Sequence, residues 1–179
     1  FDETKMPLQM RRVAANSLDY AEEVQDGIPF GYWRLGERSS VSGDGLTGRY
    51  YDNPNFTTFK LSRIDATINL AEWGCVPPDP SMGGTDFSVR WTGQVKPEFT
   101  EIYTFWLFLN DGGKLWVNGV LLINQWHLNS GSEYSGTIAL TGGTKYDIVI
   151  EFYQGPCPQY HCRLSWSSVS QAKQVIPQA

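Results

Sequence analysis

The chain predicts an all-β fold, an antiparallel β-sandwich preceded by an N-terminal arm. From Leu46 onward, β-branched and aromatic runs alternate with turn residues about every ten positions, the spacing of a sandwich. Over the same stretch no strong helical stripe interrupts the pattern. The run Tyr103 to Trp126, YTFWLFLNDGGKLWVNGVLLINQW, encodes a strand, a tight acidic turn and a hairpin in one piece.

The first 43 residues differ in texture from the rest, so the chain divides into an arm and linker over 1–43 and a sandwich domain over 44–179. Pro7 to Glu23 carries Met10, Val13, Ala14, Leu18 and Ala21 at near-helical spacing and predicts one short helix. Phe30 to Leu35, FGYWRL, reads as an aromatic strand, and Gly36 to Gly45 has the Gly, Ser and charge content of a linker. The chain starts at Phe1 with no initiator Met, as a processed protein or an excised fragment would.

Within the domain, Leu46 to Tyr51 is the opening strand. Phe87 to Gln94 and Glu101 to Leu109 are expected to pair across VKPEFT, where Pro97 fixes a bend. Tyr103, Phe105, Leu107 and Leu109 alternate with Thr104, Trp106 and Phe108, a period of two that suits a strand with both faces largely covered. Asn110, Asp111, Gly112 and Gly113 tolerate positive φ and predict a turn. Leu115 to Val117 and Val120 to Ile123 flank Asn118-Gly119, the dipeptide that a two-residue type I′ hairpin prefers. Gly136 to Leu140, Tyr146 to Tyr153 and Arg163 to Ser167 complete the strands, with a Pro-containing cysteine loop before the last.

Composition bounds the function. A chain of 179 residues with 41% apolar and 14% aromatic content can bury a sizeable core. Its 14 basic and 19 acidic residues, net −5 without a Lys/Arg cluster, disfavour nucleic acid and anionic membranes as partners. No apolar run reaches the roughly 20 residues of a membrane span. Neither GxSxG, HExxH nor a P-loop occurs. Asp86, Asp111, Glu133 and Glu151 lie in no motif that fixes the spacing of a glycosidase pair. The expectation is a non-catalytic domain.

Cys157 and Cys162 in GPCPQYHC are close enough for a small disulfide ring, or for a zinc site with His161. Zinc wants four ligands, and adjacent His161-Cys162 matches no common pair spacing. Cys75 is the odd cysteine, open to burial, to a bridge with the other loop or to a neighbouring chain.

The segments GLTGRYYDNPNF, FSVRWTGQVKPEFTEIYTFWLFLNDGGKLWVNGVLLINQW, YDIVIEFYQ and RLSWSSVSQAKQVIP, in this order, resemble the PA-fourteen domain, the β-sandwich named from the anthrax protective antigen. The resemblance covers roughly Gly45 to Pro177. It implies an extracellular, lectin-like module of adhesins and of inserts in β-glucosidases, one that often binds a glycan or polysaccharide. In members that bind sugar through calcium, two adjacent acids joined by a cis peptide hold the ion at this turn. Here Asp111 matches the second acid, and Asn110 stands in place of the first. The implied metal ligands are Asn110, Asp111 and Gln154, a set poor in carboxylate and suited to weak calcium binding, about 10⁻⁴ to 10⁻³ M. An ion-free turn, with Asn and Asp bonding backbone amides, accounts for the same residues.

A sugar site wants an aromatic platform beside groups that discriminate hydroxyls. Trp126, His127, Tyr160 and His161 are candidates for it, with Asn110, Asp111 and Gln159 as ligand-binding residues and Asn124, Gln125 and Asn129 as further partners. Trp116 and Trp126 are expected in the core more than on a platform, and Tyr160 is expected to be exposed. FGYWRLGE resembles, over a few residues, the opening strand of laminin-G-like sandwiches. The alternative reading is therefore a structural or adhesive subunit that self-assembles through the arm.

Overall fold

The computed structural model describes residues 45–156 and 159–177, which form strands and turns and no helix. The arm, its expected helix and its aromatic strand lie outside these residues. Among the described residues eleven strands run in chain order: β1 (Leu46–Tyr51), β2 (Phe59–Asp65), β3 (Asn69–Trp73), β4 (Phe87–Val95), β5 (Glu101–Asn110), β6 (Gly112–Val117), β7 (Val120–Gln125), β8 (Ser132–Leu140), β9 (Tyr146–Gln154), β10 (Gln159–Ser167) and β11 (Gln174–Val175). One sheet has the order β2-β1-β4-β9-β6-β7. The other runs β11-β10-β5-β8, with β3 also pairing β10. All pairings are antiparallel.

The alternating pattern read from sequence decides which side chains face inward. Val89, Trp91, Leu115, Val117, Ile148, Ile150 and Phe152 from the six-stranded sheet meet Tyr103, Phe105, Leu107, Leu109, Leu164 and Trp166 from the other, all buried. The rings meet largely edge to face: Phe87 lies 5.1 Å from Tyr160 at 89°, and Tyr50 lies 6.2 Å from Trp91 at 82°.

Three expectations are corrected here. β4 and β5 do not pair: β4 lies between β1 and β9, and β5 between β10 and β8, so VKPEFT carries the chain from one sheet to the other. Periodicity marks the buried face of each strand and is silent about which strand is its neighbour. Trp116 does not enter the core, because Leu115 and Val117 do, and a period of two puts the residue between them on the outer face. The Cys157–Cys162 ring is not formed, since Cys162 is a free thiol packed in the core, where burial pushes its pKa up. Cys75 is exposed and disulfide-bonded.

The β6–β7 hairpin follows its sequence. Asn118 and Gly119 have φ of 51° and 74°, the two positive values that a type I′ turn needs. Strands β2, β3 and β11 were not predicted. They are edge or short segments whose residues are largely exposed, so little periodicity marks them.

One polar cluster ties β1, β2 and β4. Asp65 Oδ2 accepts hydrogen bonds from Tyr50 Oη (2.6 Å) and Trp91 Nε1 (2.7 Å), while Oδ1 accepts from Arg63 Nε at 2.7 Å. Arg63 also donates to Tyr50 Oη at 2.7 Å and lies over its ring. Burial, with the Asp65 carboxylate beside it, pushes the Tyr50 phenol well above its ordinary range. Removing the carboxylate leaves the Trp91 donor unpaired in the core. Asp65→Ala is expected to cost about 2–4 kcal/mol, with Asp65→Asn recovering part of it, as measured by urea unfolding. An unchanged midpoint in Asp65→Ala would show that the cluster is idle.

Candidate functional site

At one end of the sandwich the chain passes directly from one sheet to the other. β5 ends at Asn110, β6 begins at Gly112, and Asp111 alone makes the step, with φ of 61°. Asp and Asn bear such a conformation better than most residues, which is why an acid fits the position. No cis peptide occurs among the described residues, so the Asn110–Asp111 bond is trans, unlike the join implied by the resemblance. Gly112 suits its position because a Cβ there would run into the Tyr153 ring and force it to shift.

Two neighbours hold Asp111. Its Oδ2 accepts from Gly155 N at 2.8 Å, so the acidic corner and the β9–β10 loop meet. Its backbone N–H donates to Asn129 O at 3.3 Å, and Asn129 Nδ2 donates to its carbonyl. Burial pushes the Asp111 carboxyl above its ordinary pKa. The Gly155 and Asn129 amides oppose that rise, and the charge of Asp86 adds to it.

Asp86 is the residue that the sequence reading missed here. It precedes β4, its N–H donates to Gly155 O at 3.2 Å, and it brings a second carboxylate to the corner that Asn110 left short of one. Only the pairing of β4 with β9, which sets Phe87 opposite Gln154, could have revealed it.

Gln154 is 1% exposed and donates through Nε2 to Gln159 O, yet its Oε1 has no partner. A buried carbonyl oxygen without a donor costs about 1–3 kcal/mol and fits a cation ligand. The donor set of Asp111, Asp86 and Gln154 is all oxygen and carries two negative charges, the chemistry of a hard cation such as calcium. These residues fit the ion that the resemblance implies, while Asn110 points elsewhere.

The remaining candidates divide between the two outer faces. Asn110 lies opposite His161 on β10, and the two line a pocket of about 160 Å³ with Phe108, Glu72, Gln159 and Tyr160. The Phe108 and His161 rings are 4.6 Å apart. Burial, and then the charge of Arg163, lowers the His161 pKa and favours the neutral ring. Tyr160 is corrected from exposed to 2% exposed, since it packs inward on Phe87 and closes the floor rather than offering a platform. His161 and Cys162 face opposite sides of β10, so they do not converge on a zinc ion.

Trp126 is also corrected. It lies half-buried on the other outer face, 5.8 Å from Phe56 and 4.7 Å from Tyr153, with Lys114 Nζ 4.8 Å from its ring. His127 is exposed beside it, with Nε2 2.8 Å from Gln125 Oε1. Phe108, absent from the sequence candidates, was legible by parity, because it stands two residues before Asn110 on one strand. A second cavity, of about 100 Å³, lies at the far end between Leu46, Ile68, Val95 and Ile176 and is mostly apolar. It lacks the convergent amides and acids of the first.

Among proteins of known sequence, the Anti-sigma-I factor RsgI3 of Acetivibrio thermocellus (strain ATCC 27405) is 47% identical over 136 residues. That match takes in 76% of this chain and 21% of the relative, so the chain spans about a fifth of that protein's length. A solved anti-sigma factor domain-containing protein superposes with a TM-score of 0.72 at 47% identity, covering 75% of this chain and 46% of that one. A PA14 sugar-binding domain from an RTX adhesin shares the fold at a TM-score of 0.61 and 16% identity, over 74% of this chain and 94% of that one. The family model of the PA14 domain matches residues 42–179, and the chain belongs to that family.

Proposed function

We propose that this PA14 domain is a non-catalytic glycan-binding module, helped by calcium at the Asp111 corner and working outside the cell. The observation that carries this reading is the pocket itself. Two ring faces, Phe108 and His161, stand beside amide and carboxylate groups of Asn110, Gln159 and Glu72. An aromatic surface takes the apolar face of a sugar, and fixed polar groups sort its hydroxyls. The name of the RTX adhesin domain speaks of sugar binding, and its likeness to this chain is one of fold. The kinship with anti-sigma factor proteins favours a place in a larger protein, where an occupied sugar site would serve as the sensed signal.

In this reading calcium would be held by Asp111, Asp86 and the Gln154 carbonyl. It would fix the corner from which Asn110 reaches the pocket and discharge the repulsion between the two acids. A glycan array run with calcium and with chelator tests the reading. Calcium-dependent capture of one glycan class is the expected result. Silence in both conditions would instead favour the adhesive or structural role.

The ion makes its own prediction. At about ten times a weak dissociation constant, calcium should stabilise the domain by ~1.4 kcal/mol, a rise in Tm of roughly 3–6 °C. Asp111→Asn should abolish that rise, and no shift in the native protein at millimolar calcium would remove the ion from the account. The pH dependence follows from the raised Asp111 pKa. Without calcium, protonation favours the folded state, so this group's contribution improves as pH falls through the folded value and is unfavourable above it. Calcium needs the charged form, so its effect on Tm should shrink as pH falls through that same window. Asp111→Asn, neutral throughout, should leave the calcium-free protein at least as stable near neutral pH, measured by thermal melts.

A further inference from the structure

Phe108, at the edge of the pocket, is followed by a second outward ring on the same strand. The outward side chains of β5 are Ile102, Thr104, Trp106, Phe108 and Asn110, so Phe108 and Trp106 continue in line from the pocket along the outer face of the five-stranded sheet. Strand geometry places Trp106 about 13 Å from Asn110 along β5. Both rings are half-buried, on a face that looks away from the core.

Charged side chains border the line. Phe108 lies between Glu133 of β8 and Arg163 of β10, and Trp106 between Ser135 and Ser165. The Arg163 guanidinium stands 5.3 Å from the Phe108 centroid, and Lys173 Nζ stands 4.0 Å from that of Trp106. Glu133 pairs with both cations, through Lys173 at 2.6 Å and Arg163 at 3.7 Å. With Glu72 at the pocket rim, two cations balance two acids, so the track carries no net charge and suits an uncharged ligand. Rings flanked by donors and acceptors suit a ligand with apolar ring faces and hydroxyl edges.

We infer that Phe108 and Trp106 prolong the pocket into a row of sugar subsites for an uncharged, unbranched polysaccharide chain, bordered by Arg163, Lys173 and Glu133. The inference rests on the glycan-binding reading and adds the shape of the ligand, an extended chain gripped along its length. Lys173, on the C-terminal segment, is placed to give up its seat on the Trp106 ring to a sugar and keep Glu133.

Isothermal titration of the full chain, in calcium, with cello-, xylo- and manno-oligosaccharides from disaccharide to hexasaccharide tests this. For the ladder that binds, affinity should climb about fivefold or more once the chain is long enough to reach Trp106. Trp106→Ala should abolish that climb and leave the disaccharide affinity in place, whereas Phe108→Ala, inside the pocket, should weaken every length. Should Trp106→Ala fold poorly, NMR of the native protein decides. The indole N–H of Trp106, identified by its loss in Trp106→Phe, should shift with the hexasaccharide and stay still with the disaccharide. Equal affinity at all lengths, a length dependence that survives Trp106→Ala, or an unmoved indole signal overturns the track and leaves the pocket standing. Failure of every ladder and of the glycan array to bind overturns the glycan reading and the track together.

Discussion

The site depends on a one-residue crossing between two sheets. β5 and β6 belong to opposite layers of the sandwich, and Asp111 joins them with a left-handed backbone. A step this short leaves no slack, so the corner holds only if its polar groups are met by the loops around it. Gly155 and Asn129 meet them, and in doing so fix the β9–β10 turn and the segment after β7 against the same point. The carboxylate that closes the turn is also the acid of the candidate site, which joins the fold's requirement to the site's chemistry.

The crossing also sorts the candidate residues. Because Asp111 sits between the layers, Asn110 looks out over the five-stranded sheet, while Gly112 and the residues after it belong to the other. Asn110, Gln159 and Tyr160 therefore gather on one side and Trp126 and His127 on the other. The orphaned Gln154 carbonyl and the charge of Asp86 beside Asp111 leave electrostatic demand unmet in the space between.

Rigidity comes from elsewhere. The Asp65 cluster locks β1, β2 and β4 with hydrogen bonds to a buried indole and a buried phenol, and edge-to-face rings fill the interior. The outer faces keep their aromatics under cations instead, Arg163 over Phe108 and Lys114 over Trp126. An aromatic covered by a long flexible cation remains reachable, since the cation is held by attraction to the ring rather than by packing.

Local patterning along the chain specifies the class of fold, the hairpin at Asn118-Gly119 and the alternation of β5 and β9, because periodicity and positive-φ residues act within a few positions of the chain. It marked Asp111 through the same local chemistry. Long-range packing settles that β4 and β5 part company, that Tyr160 turns inward, that Trp126 stays outside and that the charge of Asp86 reaches Asp111. Those outcomes rest on which strands become neighbours, a matter of pairing between segments far apart in sequence, and alternation along one strand carries no record of its partner.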